Sequence, residues 1–259
     1  MNESARPKHA VVTGSSGIGL GTAMRLAADG FHVTLCGIDE RANAAARERC
    51  AGLGVEVVKL DVSDGDAVAA FASELADHID GLDALVNAAG IQTYGTIETT
   101  TPGDWQKVIA VNLTSCYLMS HFLYPLMKKR GAASIVHIAS VQGHANQKNV
   151  LGYATAKGAI HTLTRAMAVD CARDGIRVNS VSPGSVRTPL LEFSARSLTP
   201  PGGSLEETLA GFGRAHPVGR VGTVDEIAGL ISYLVGPESA FCTGGDFLID
   251  GGLNAQLGV

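Results

Sequence analysis

Short apolar runs alternate along this chain with longer segments in which apolar positions recur at helical spacing. The runs are His9–Thr13, Phe31–Cys36, Val55–Leu60, Leu82–Val86, Ser134–Ala139, Ile176–Val181 and Asp246–Ile249. They are mostly apolar, and Ser134–Ala139 reads as a strand buried within the sheet. The intervening segments read as helices over Leu20–Asp29, from the end of the second strand to about Ala51, and from Pro102 to about Lys129. Thr101 stands at an N-cap with Pro102 at the first helical position and Asp104 in the first turn. Ser63 with Asp66 suggests a cap for the third helix, and Thr223 with Glu226 forms a capping-box signature. Strand and helix in regular alternation predict a single α/β domain over residues 1–259, built on a parallel sheet. Residues 189–218 lose this pattern and carry a Pro-Pro-Gly-Gly stretch, which predicts a mobile lid.

Composition narrows the class. With 259 residues the chain is long enough for one large core. No apolar run approaches the length of a membrane span, and the N-terminal stretch enters the first strand without an apolar leader, so a cytoplasmic protein with no membrane partner is expected. The net charge of −5 and the scattered Lys and Arg give no basic face for nucleic acid. Five cysteines, widely spaced and never in CxxC, argue against a disulfide framework and against a cysteine zinc site, and no metal is expected. The 32 glycines are not periodic, which points to tight strand-to-helix turns.

Candidate chemistry sits where strands end. The first strand runs into Gly14-Ser15-Ser16-Gly17-Ile18-Gly19, where glycines allow a sharp turn and the amides of a helix start can bind phosphate. The end of the second strand, where dinucleotide folds choose their ribose contact, carries Gly37 and then Asp39; Arg41 is the nearest cation, so NAD is expected over NADP. Asp61-Val62 closes the third strand, with Asp61 able to accept from an adenine amino group, and Asn87-Ala88-Ala89-Gly90 closes the fourth with side chains small enough for close backbone approach. Asn112 lies among apolar neighbours within the long helix and needs hydrogen-bond partners there. Ser140 ends the fifth run. Tyr153 and Lys157, four residues apart on a helix, share one face and set an ammonium beside a phenol, an arrangement suited to proton transfer.

These residues, in this order, together with Pro183-Gly184, resemble the short-chain dehydrogenase/reductase family over nearly the whole chain. The resemblance implies a doubly wound Rossmann-type sheet of seven parallel strands, ordered 3-2-1-4-5-6-7, with helices on both faces. It implies that Tyr153 is the acid/base, that Lys157 lowers its pKa and binds the nicotinamide ribose, that Ser140 holds the reacting oxygen, and that Asn112 positions a water. The nicotinamide cofactor would meet Gly14, Ser16, Gly17, Ile18 and Gly19 of the turn, and Asp39, Asp61, Val62, Asn87, Ala88 and Gly90 at the next strand ends. Tyr153 and Lys157, then Pro183, Gly184, Val186 and Thr188, would complete its site. Ala88 replaces the family's second Asn, which normally ties the central sheet. Within the family the chain is similar to microbial aldose dehydrogenases. Gln92, Gln142 and Asn149, with Ser140 and Tyr153, would face a sugar or polyol; His144 is a further polar candidate. The alternatives are a 3-oxoacyl-thioester reductase and a non-catalytic dinucleotide-binding sensor. The family's subunit pairing implies a homotetramer, with Val111, Leu118, Phe122 and Leu126 on the pairing helix.

Overall fold

The computed structural model describes residues 6–257. Its seven strands, all parallel, form one sheet: β1 (Lys8–Thr13), β2 (Phe31–Gly37), β3 (Val55–Lys59), β4 (Ala84–Asn87), β5 (Ala133–Ile138), β6 (Ile176–Pro183) and β7 (Asp246–Ile249). Their spatial order is β3-β2-β1-β4-β5-β6-β7, the expected one.

Successive residues of a strand face opposite sides, and here both sides are dry. From β1, Ala10 and Val12 join a core with Leu20, Ala23 and Leu26 of α1 (Gly17–Ala28) and Ile227, Ile231 and Leu234 of α9 (Val224–Val235). Val11, between them, turns to the opposite core. There it meets Val68 and Phe71 of α3 (Gly65–His78) and Met119 and Leu123 of α5 (Ser115–Arg130). Each fully buried Leu or Ile contributes about 1.5–3 kcal/mol by burial. The central strands β4 and β5, buried along their whole length, account for the apolar runs there.

Local details depart from the sequence reading in four places. First, α1 begins at Gly17, inside the glycine turn rather than at Leu20. Second, the cap of α3 is Asp64, whose carboxylate accepts from the Asp66 and Ala67 amides, not Ser63. Third, the long helix from Pro102 is broken into α4 (Pro102–Ile109), a π turn over Ala110–Thr114, and α5. Asn112 sits in that π turn, a distortion that re-aims side chains at functional sites. Fourth, residues 189–218 hold two regular helices, α7 (Pro189–Leu198) and α8 (Leu205–Ala215), capped by Thr188 and Ser204. The remaining helices are α2 (Glu40–Arg49) and the long α6 (Leu151–Cys171). All five cysteines are free. Among the described residues no helix is long and apolar enough to cross a membrane.

Candidate active site

The C-terminal ends of β1, β4, β5 and β6 open into a single cavity of about 540 Å³. Its position follows from the topology: chain connections leave β1 and β4 in opposite directions, which opens a crevice at their ends.

One wall is the glycine turn, with Gly14, Ser16, Gly17 and Ile18 on the cavity. Gly14 and Gly17 have φ of +93° and +53°, values that side chains disfavour. A β-carbon on Gly14 would stand 3.2 Å from the Ala88 carbonyl oxygen, and one on Gly17 would stand 3.1 Å from the Thr188 methyl. Gly19 closes the turn from behind, where a β-carbon would collide with the Gly14 carbonyl. The opposite side of the crevice is held by Thr13, whose hydroxyl accepts from the amides of both Ala88 and Ala89 at 3.0 Å.

The floor carries Ser140, Tyr153 and Lys157, which converge on the cavity as the sequence predicts. Ser140 follows β5 in extended conformation and starts a 3₁₀ turn, Val141–Gly143, its hydroxyl accepting from the Gln142 amide at 3.1 Å. Tyr153 and Lys157 stand one turn apart on α6, both buried. The Lys157 ammonium donates to the Ile138 carbonyl at 2.6 Å and lies 5.6 Å from the Tyr153 ring centre. Burial dominates both titrations. It pushes the phenol up to about 12, against a hydrogen bond from Ser140 that favours the phenolate, and Tyr94 adds to the rise. It pulls the ammonium down to about 8. Burial thus favours the neutral phenol of Tyr153.

The side-chain amide of Asn112 accepts from the Ile91 N–H at 2.8 Å and donates to the Ile91 carbonyl at 2.9 Å, so it clasps the segment after β4 and lies behind the cavity surface. Asn87 also turns away from the cavity: its Nδ2 donates to Nδ1 of His137 at 3.1 Å, across a register pair of β4 and β5. This bridge ties the central sheet in a chain where Ala88 cannot. Val62 is in the core beneath the sheet. Asp61 spends one carboxylate oxygen on the Ser63 amide and hydroxyl, at 2.9 and 2.6 Å. Asp39, exposed, caps α2 by accepting from the Ala42 amide at 2.7 Å. The cavity extends along Pro183, Gly184, Val186 and Thr188, as expected.

Gln92 and Gln142 line the wall, and the buried Gln142 Oε1 has no hydrogen-bond partner among the described residues. Asn149 stands outside: exposed, with φ of +63°, it offers its carbonyl to the Gly95 amide. His144 also lies off the cavity, bonded to Asp246. Several lining residues escape sequence reasoning. Leu191, Ser194, Phe212 and His216 come from α7, α8 and the residue after α8. His216 Nδ1 donates to the Phe212 carbonyl, which leaves Nε2 to accept from the Ser185 amide at 3.0 Å. No local motif marks these positions, because only the packing of the two helices over the sheet brings them in.

A dinucleotide fits this arrangement. The glycine cradle, which β-carbons would fill, the start of α1, and the buried cation at Lys157 suit phosphate, ribose and nicotinamide in turn.

Comparison with known proteins agrees in extent. The family model described as enoyl-(acyl carrier protein) reductase matches residues 12–254. The trans-4-hydroxycyclohexanecarboxylate dehydrogenase of Sinomonas cyclohexanicum is 35% identical over 98% of this chain and 96% of its own length. The ligand-free aldohexose dehydrogenase of Thermoplasma acidophilum superposes with a TM-score of 0.90 at 32% identity, covering 98% of this chain and 96% of that one. A variant of actinorhodin polyketide ketoreductase with NADPH superposes at 0.91 with 30% identity, covering 96% and 98%. Full-length matches of this kind, on a sheet of the expected strand order, make the chain a member of the short-chain dehydrogenase/reductase family of oxidoreductases.

Proposed function

We propose that this chain interconverts a secondary alcohol and a carbonyl group with a nicotinamide cofactor, and that its substrates are sugars or polyols. The observation that carries this reading is the convergence of Ser140, Tyr153 and Lys157 on a cavity whose other wall is the glycine turn. A nicotinamide bound along Gly14–Ile18, Ala88–Gly90 and Pro183–Thr188 supplies or takes up the hydride. The chain's own residues handle the rest. The Ser140 hydroxyl orients the substrate oxygen, Tyr153 exchanges a proton with that oxygen, and Lys157 keeps a positive charge beside the phenol when it ionises. Asn112 acts on the site by fixing Ile91 and with it the chain beyond Gly90.

A polyhydroxylated substrate is supported by the unpartnered Gln142 Oε1, since a hydroxyl donates where an aliphatic chain leaves a buried acceptor unsatisfied. NAD is the preferred cofactor, because neither Ser16 nor Ile38 offers a cation and Asp39 and Glu40 follow β2. The working form is a cytoplasmic homotetramer. Tyr117 on α5 and Val169 on α6, 51% and 79% exposed, support helix pairing between subunits, whereas Leu126 is already buried within its own chain. A monomeric mass by light scattering would remove that part.

The second reading, reduction of a 3-oxoacyl thioester, is favoured by the description of the matching family model and by the ketoreductase neighbour. One screen separates the readings: aldoses and polyols with NAD⁺ and NADP⁺, and an acetoacetyl thioester with NADH and NADPH, followed by nicotinamide absorbance. Turnover of the thioester alone would replace the sugar reading. Tight dinucleotide binding with no turnover of any substrate would indicate a sensor.

A further inference from the structure

Behind the Ser140 turn, two helical turns along α6 from Tyr153, three side chains remote in sequence meet: His144, His161 and Asp246. His144 follows the 3₁₀ turn, His161 lies one helical turn beyond Lys157, and Asp246 opens β7. The two imidazoles stack with ring centres 4.3 Å apart. His144 Nε2 is 2.7 Å from Asp246 Oδ2, His161 Nε2 is 3.5 Å from Oδ1, and all the ligand-capable atoms lie within 4.8 Å of one another.

We propose that this triad is a binding site for a divalent transition-metal ion of the zinc type, distinct from the catalytic site and independent of the substrate assigned above. Donors of a tetrahedral zinc site stand about 3.4 Å apart, from bond lengths of about 2.1 Å. The nitrogens approach the two oxygens of one carboxylate at 2.7 and 3.5 Å, and His144, whose side chain is 39% exposed, is free to swing outward to equalise the spacing. Its exposure also supplies the entry path and room for a water as fourth ligand. Two imidazoles and one carboxylate suit zinc, cobalt or nickel, while magnesium and calcium call for shells of oxygen.

The surroundings of the carboxylate strengthen the assignment. Ser180 and Ser182 both donate to Asp246 Oδ1, at 2.6 and 2.9 Å, which holds the carboxylate with Oδ2 toward His144. Hydrogen-bonded carboxylates of this kind orient metal ligands. Ser182 has one proton, so when it is given to Asp246 its oxygen is left facing His161 Nε2 at 3.0 Å. In the liganded form each ring carries its proton on Nδ1, and the ion takes the place of the proton that His144 Nε2 shares with the carboxylate and of the one that His161 Nε2 directs at Ser182.

The ion would join β7, α6 and the turn that starts at Ser140. That turn already packs tightly on the helix: a β-carbon on Gly143 would stand 3.0 Å from the Lys157 carbonyl. The same turn carries Gln142 on the substrate wall. Metal occupancy therefore stiffens one wall of the cavity without touching the reacting atoms.

Tag-free, chelator-treated chain titrated with CoCl₂ and with ZnCl₂ at pH 7.5 tests the site. Expected are one ion per chain, visible cobalt bands of tetrahedral intensity without a thiolate charge-transfer band, and a rise in melting midpoint of about 5 °C at a hundredfold excess over Kd. His144→Ala should weaken Kd by at least about tenfold while melting normally without metal. Asp246→Asn, which keeps acceptors for both serines, should do the same. Absence of saturable uptake up to about 1 mM, unchanged affinity in both variants, or a thiolate band pointing to cysteine would overturn the proposal.

Discussion

The floor and the roof of the cavity are built to different standards. The floor is buried and cross-tied: Lys157 is pinned to Ile138, Thr13 holds two amides after β4, and Asn112 clasps Ile91 on both sides. The roof, α7 and α8, is amphipathic and lies at the surface. Phe193 and Leu198 remain about half exposed, and the ion pairs of Arg187 with Glu192 and Glu206 are long, at 3.9 and 3.8 Å, and solvated. Exposed pairs of this kind contribute about 0–1 kcal/mol. The strand ends and α6 are thus held rigidly, whereas α7 and α8 can shift at small cost.

The sharpest test of this contrast is on the floor. Tyr153→Phe should lower kcat by about 10²–10⁴ with dinucleotide affinity nearly unchanged, since only the proton-transferring hydroxyl is lost. Steady-state rates paired with a fluorescence titration of NADH would check it, and a variant retaining most of its activity would disqualify Tyr153.

Next comes the pH response of the tie beneath the floor. Burial, with Lys157 adding to it, lowers the His137 pKa from 6.5 to about 4. The folded chain keeps this ring neutral while the unfolded chain protonates it near 6.5. Stability from this residue is therefore complete above pH 6.5 and falls as the pH drops toward 4, by about 3 kcal/mol in all. Urea unfolding at pH 7 and pH 4.5 should show the loss, and His137→Gln should flatten it. An unaltered pH slope in that variant would assign the loss elsewhere.

The roof should give a smaller and different signal. Phe212→Ala should raise KM about tenfold, about 1.4 kcal/mol, and leave kcat within a few-fold, because it removes wall area without moving Ser140 or Tyr153. Hydrogen exchange should show α7 and α8 gaining protection when cofactor and substrate bind. Equal and slow exchange in roof and floor beforehand would erase the distinction.

The smallest effect concerns the rim beyond β2. Asp39→Ala should lose about 1 kcal/mol of stability as a helix cap and narrow the preference for NAD⁺ over NADP⁺. Asp39→Ser, which keeps a capping oxygen, should separate the two consequences. A wild type that prefers NADP⁺ tenfold would instead assign the rim to Arg41.

Most of the floor could be read directly from the chain. Gly14 and Gly17 are marked by the turn they must make, and Tyr153 with Lys157 by a four-residue spacing that puts both on one helical face. Asn112 was legible as a buried amide needing partners, but not as the clasp of Ile91, because the π turn that aims it has no sequence signature. Asp39 and Asp61 show the reverse difficulty. Each stands where a cofactor contact is expected, yet each also meets a local backbone need, at the start of α2 and in the turn at Ser63.

What the sequence determined by itself is therefore whatever depends on local geometry: doubly buried strands, capped helices, a glycine turn and residues one helical turn apart. The tertiary structure decided what depends on meeting across distance. Asn87 finds His137 only because β4 and β5 pair in one register. Phe212 and His216 reach the cavity only because α8 folds over it. His144, His161 and Asp246 form a cluster only where β7 closes the sheet beside α6. A side chain's type and its neighbours in sequence constrain its backbone through short-range sterics and hydrogen bonds, but its partners across the fold are set by packing, which no local pattern encodes.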